Sequence, residues 1–141
     1  MRRIAFVLLA AVHLAGCGLI EDPAPNEARL VVFGETDKPV RVIISTEFVA
    51  AVNEDGQTRV VIIQADTVVT TLPYERVYTI EENQRFFAEA ARLDEDLQTV
   101  HMEVYVDSRK EFDEGGVLLE GQPYRFVYTF NQRITREIIV I

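Results

Sequence analysis

The sequence predicts an all-β fold, an antiparallel two-sheet sandwich of immunoglobulin-like type, behind a cleaved N-terminal signal peptide. Short stretches rich in β-branched and aromatic residues recur with turn residues between them, roughly ten in some 115 residues. Two of them alternate strictly between apolar and polar positions, the pattern of a half-buried antiparallel strand. No long helical period and no internal repeat compete with this reading.

The first element is Met1-Arg2-Arg3, followed by the apolar run Ile4 to Val12 and then Leu14-Ala15-Gly16-Cys17. A basic start, an apolar middle and small residues before a cut are the layout of a secretory signal. The apolar run is nine residues long. A spanning helix needs about 20, so removal is expected rather than membrane anchoring by this segment.

Leu14-Ala15-Gly16-Cys17 resembles the lipobox of bacterial lipoproteins, in which a branched apolar residue and two small residues precede an obligatory cysteine. The resemblance implies cleavage between Gly16 and Cys17, diacylglycerol on the Cys17 thiol, and a further acyl chain, such as palmitate, on the new amino group. Secretion with cleavage nearby is the alternative, and it leaves Cys17 as a free thiol in an oxidising compartment. Each buried methylene contributes about 0.8 kcal/mol, so two or three chains hold where one binds reversibly. The partner implied is therefore a membrane, reached through lipid on Cys17. In Gram-negative lipoproteins an aspartate after the cysteine favours inner-membrane retention; Gly18 stands there, which implies a cell-envelope location at the outer membrane facing the periplasm.

Without Arg2 and Arg3 the mature chain carries twelve basic residues against twenty-three acids, a net charge of −11. That balance excludes nucleic acid, whose binding is driven by cations displacing counterions from phosphate. It also makes lipid, not a basic patch, the means of holding the domain to anionic headgroups. The mature chain is long enough for one independent core, and with Cys17 its only cysteine it forms no internal disulfide.

Residues 17–27 read as the lipidated cysteine and an extended tether, since Pro23 and Pro25 disfavour regular structure. At about 3.3 Å per residue the tether reaches at most roughly 30 Å. Residues 28–141 form the sandwich domain. Its expected strands are Ala28 to Phe33, Val40 to Phe48, Thr58 to Ala65, Val68 to Leu72 and Val77 to Ile80, then Arg85 to Ala91, Thr99 to Val106, Val117 to Leu119, Tyr124 to Phe130 and Ile134 to Ile141. Asn53-Glu54-Asp55-Gly56 tolerates positive φ and predicts a hairpin between the second and third. Val100, Met102, Val104 and Val106 share one face of their strand, with His101, Glu103, Tyr105 and Asp107 on the other. Phe86, Ala90, Leu93 and Leu97 also fall at helical spacing, which leaves a short helix over Arg85 to Leu97 open beside the favoured strand and acidic turn.

The residue types for common chemistries are scarce. One histidine, His101, and two serines, Ser45 and Ser108, remain after the signal, and no Gly-x-Ser-x-Gly turn occurs. One histidine falls short of the usual zinc site of several His or Cys ligands, and His101 reads as a polar residue on an outer face. No cofactor is implied. Glu81-Glu82, Asp94-Glu95-Asp96 and Asp113-Glu114 are assigned to solvated turns, with calcium at Asp94 to Asp96 left open although EF-hand spacing is missing. Tyr124, Phe126, Tyr128 and Phe130 at period two read as core-facing rather than as a sugar-stacking platform, and Gly115-Gly116 reads as a turn.

Leu72-Pro73-Tyr74, together with Val104-Tyr105-Val106-Asp107-Ser108-Arg109-Lys110 before a final aromatic strand, resembles the β-sandwich accessory proteins of RND-type transporters in mycobacteria. The likeness spans about half the mature chain. Ser108-Arg109 departs from the Val-Asp-Gly-Lys turn of that group, so its transport role is not carried over. The expectation is a non-enzymatic binding or structural module of the envelope with an envelope protein as partner; the alternatives are a transporter accessory subunit and a hydrolase using paired carboxylates.

Overall fold

The computed structural model describes residues 23–132, 134 and 137–141. The segment 1–16 expected as a signal, Gly16 and Cys17 expected at cleavage and lipid attachment, and Gly18 lie outside them. Nine strands are described: β1 (Glu27–Glu35), β2 (Val40–Val52), β3 (Thr58–Thr70), β4 (Tyr74–Thr79), β5 (Arg85–Arg92), β6 (Gln98–Val106), β7 (Arg109–Leu118), β8 (Tyr124–Thr129) and β9 (Ile138–Val140). Among the described residues there is no helix, so the fold is all-β.

Two sheets pack together, one in the order β4-β1-β6-β7 and the other β8-β5-β2-β3-β9. Leu30 and Val32 of β1 and Val100, Met102 and Val104 of β6 meet Val40, Val42 and Ile44 of β2 and Phe86, Ala88 and Ala90 of β5 in one buried cluster. The alternation along β6 is therefore inward burial, as its sequence predicts. β5 is a strand and not a helix. Its neighbours β2 and β8 pair with it on both edges, and both of its faces are covered. Double burial erases the apolar–polar alternation that marks a strand, which is why the segment also fitted a helical spacing.

A second, smaller cluster forms on the outer side of the five-stranded sheet. Phe87 of β5 and Val127 of β8 point away from the main core and meet Phe48 of β2 and Val60 of β3, with Ile138 and Val140 of β9 packed alongside. Register shifts between Ile44 and Phe48 exchange the faces of the β2–β3 hairpin. Val42 and Ile44 serve the first cluster, while Phe48, four positions beyond Ile44 and of the same parity, serves the second. Ser45 fastens this irregularity: its hydroxyl donates to the Gln64 carbonyl at 2.5 Å and accepts from the Glu47 N–H at 3.0 Å.

Several expectations are corrected. The sheets are not wholly antiparallel, because β9 runs parallel to β3. No tight turn joins these two strands, so packing of Ile138 and Val140 against the second cluster decides the direction. Val68 to Leu72 is no separate strand; Val68 pairs with Val42 and Asp66 with Ile44, and β3 runs unbroken to Thr70. Val117 and Leu118 are only the end of the ten-residue β7, whose mostly polar start hides it, and Leu119 lies beyond it in an isolated bridge with Gln122. Asp113-Glu114 and Gly115-Gly116, expected in turns, all lie within that strand and pair with β6. Strand formation here follows from the partner strand's open edge, not from intrinsic propensity. Of Ile134 to Ile141, the described strand is the three residues of β9.

The chain is fastened at its entry into β1. Pro25 is buried, and the N–H groups of Asn26 and Glu27 donate to Asp107 Oδ1 at 3.0 and 3.2 Å. Asp107 holds φ near +51° in the turn between β6 and β7, a conformation that Asp and Asn tolerate better than most residues.

Candidate functional site

The outer face of the four-stranded sheet gathers the most closely spaced set of titratable side chains. Register creates it: His101 lies opposite Phe33 on one side and Gly115 on the other, while Glu103 lies opposite Asp113. Residues i and i+2 of a strand share a face, so His101 and Glu103 stand side by side with Asp113 across from them. His101 Nε2 is 2.5 Å from Asp113 Oδ1. The imidazole stacks on the Phe33 ring with centroids 4.7 Å apart.

Lys110, at the start of β7, bridges the two carboxylates, with Nζ 2.6 Å from Glu103 and 2.9 Å from Asp113. Hydrogen bonding to Lys110, helped by the Tyr105 hydroxyl at 2.7 Å, holds the Glu103 carboxyl below the usual carboxylate range. Lys110 and then His101 do the same for Asp113. The two acids in turn push the Lys110 ammonium above its ordinary value. Arg29 continues the network, its guanidinium 4.0 Å from the Tyr105 ring centroid and 2.9 Å from Glu75. This lattice keeps both carboxylates ionised and oriented, a state suited to holding a cation.

The other sequence-derived candidates are dispersed. Asp94, Glu95 and Asp96 lie in an exposed bend, where Asp94 Oδ1 accepts from the Asp96 N–H and from the Gln98 amide, and Lys38 is 3.4 Å from Asp96. Glu81 and Glu82 are exposed in the turn after β4. Phe126 is buried in the main core, Tyr124 and Tyr128 pack against it, and Phe130 lies half-buried beyond the end of β8. His101 does stand on the outer face, but inside a network rather than alone. Ser45 is structural, as described above.

Two further features were not foreseen. Glu89, buried on the outer side of β5, is held by Arg125 of β8 at 2.7 Å and Arg41 of β2 at 3.4 Å. The edge strands β7 and β8 flank a groove of about 470 Å³ in which Glu111, Asp113 and Glu114 face Arg125, Phe126 and Ile134. The first depends on β2 and β8 flanking β5 in one sheet, the second on the edge strands β7 and β8 of the two sheets facing each other. A tight turn at Asp107-Ser108 could have revealed that β6 and β7 pair, but counting from it places Glu103 opposite Phe112; a one-residue register shift between Val104 and Tyr105 brings Asp113 there instead.

No family model, no curated protein and no solved structure matches the chain. Among the described residues no helix is long and apolar enough to cross a membrane.

Proposed function

We propose that the chain is a lipid-anchored, non-enzymatic binding or structural module of the cell envelope, held through Cys17 at the outer membrane and facing the periplasm. The observation that carries this reading is the Leu14-Ala15-Gly16-Cys17 sequence, separated by only nine residues from the first strand of an all-β domain. An immunoglobulin-like arrangement of that domain is supported by the four- and five-stranded sheets and the repeated passage of the chain between them. The fastening of Asn26 and Glu27 by Asp107 joins the tether firmly to the sandwich. The groove between β7 and β8 offers a partner protein two strands that are sheet edges among the described residues and a mixed lining of acids and aromatics.

An accessory subunit of an envelope transporter is the same module with the transporter as partner. It is supported by the positions of the resembling segments: Tyr74 opens β4, and Val104 to Lys110 make the β6–β7 connection of the same sheet.

The test is the intact mass of membrane-extracted protein, wild type against Cys17→Ser, followed by crosslinked capture of partners from the envelope. A species beginning at Cys17 with diacylglycerol, absent in the variant, supports the anchor. An unlipidated soluble species overturns it. A reproducible turnover abolished by one carboxylate substitution overturns the non-enzymatic part.

A further inference from the structure

One ligand atom each from His101, Glu103 and Asp113 lies within 4.8 Å of the other two. We propose that these three side chains form a binding site for a divalent transition-metal ion of the zinc class, with Lys110 as the internal cation that the metal displaces. This inference does not rest on the lipid anchor or on any partner protein.

The donor set favours a transition metal. One imidazole nitrogen and two carboxylate oxygens are donors that zinc accepts, though with fewer nitrogens than its usual sites, whereas calcium and magnesium take oxygen ligands almost exclusively. The nitrogen facing the carboxylates is Nε2, whose N–H meets the ionised Asp113 at 2.5 Å; when the ion binds, that proton passes to solvent and the freed lone pair points to the same place as the two acids.

The imidazole is held in place from two sides. Phe33 stacks on it from β1. On β7, Gly115 leaves the ring room, since a Cβ there would overlap Nδ1 and Cγ of His101. A ligand locked before binding loses little rotational freedom when the ion arrives.

Lys110 shows that the site already holds a cation. Its ammonium contacts both carboxylates and makes no contact with His101. A single positive charge leaves one negative charge over from the two acids; a divalent ion balances both and adds the imidazole bond. Lys110 sits on a flexible stem, and its side chain is 37% exposed, so it can swing into water when displaced. Asp113 and His101 are themselves partly exposed, which leaves the outer coordination position to water.

The test titrates Zn²⁺ into the purified full chain by calorimetry, comparing wild type with Lys110→Met and His101→Gln. One ion per chain is expected. Lys110→Met should tighten binding by roughly tenfold or more, and His101→Gln should weaken it by a similar factor. Millimolar Ca²⁺ should not displace the ion. Because His101→Gln could disturb the sheet, the Lys110→Met chain is also followed by NMR at the His101 ring, where Zn²⁺ should shift the imidazole signals in step with the heat. Absence of saturable binding to the Lys110→Met chain, displacement by Ca²⁺, or Zn²⁺ binding that leaves the His101 signals unmoved overturns the proposal.

Discussion

Gly115 lies opposite His101 across the β6–β7 ladder, and the imidazole ring covers the position where a side chain on Gly115 would stand. A methyl group there must push the ring off the Phe33 face or bend β7. Gly115→Ala is expected to destabilise the fold by about 1–3 kcal/mol, the range for overpacking. Urea unfolding measures it, and loss of the ring-current shift between His101 and Phe33 identifies the cause.

Glu89 is 5% exposed and lies between Arg125 and Arg41. Removing one partner of a buried pair strands the other charge, at about 3–5 kcal/mol when both are buried. Here both arginines are partly solvated, which lowers the expectation to about 2 kcal/mol for Arg125→Met. Arg41→Met should cost less, because its contact is longer. Equal losses in thermal unfolding for the two variants would contradict this ranking.

Asp107 closes the β6–β7 turn and binds the two N–H groups at the start of β1. Asp107→Ala removes both bonds at the entry to β1, with an expected loss of about 1 kcal/mol. Asp107→Asn, which keeps an acceptor and tolerates positive φ, should lose less. Hydrogen exchange at Asn26 and Glu27 should quicken in the alanine variant while the centre of β6 stays protected.

The Tyr78 phenol, hydrogen-bonded to Tyr74 at 2.6 Å and packed on Phe86, is pushed up by burial and then by Tyr74. Tyr124 is raised by burial and by Glu114. A group whose folded value is raised contributes its full stability below the unfolded value, about 10 for tyrosine, and loses it as pH rises through the folded value. Stability should therefore fall above about pH 10. Tyrosinate absorbance should show two of the five tyrosines lagging the rest, and Tyr78→Phe should remove one lagging group. Simultaneous titration of all five would contradict the burial of Tyr78.

Burial of apolar residues is what local pattern reports well. Val100, Met102, Val104 and Val106 alternate with polar neighbours because one face of β6 meets the core and the other meets water, and that strand was legible from its residues alone. So was the β2–β3 hairpin, whose turn at Asn53 to Gly56 includes Gly56 at positive φ. β7 was not legible. Apart from Phe112, its residues Arg109 to Gly116 are polar or glycine, and they form a strand only because β6 offers an edge. With β7 hidden, Asp113 read as turn charge and the neighbours of His101 could not be named.

The sequence by itself determined the export-signal pattern, the all-β class and the inward face of β6, because each is written in the order of adjacent residues. Only the tertiary structure decided that β9 runs parallel to β3, that the faces of the β2–β3 hairpin exchange at Ser45, and that His101, Glu103, Lys110 and Asp113 converge. Those relationships depend on register between strands, and register is set by hydrogen bonds and packing with distant partners that no local window of residues contains.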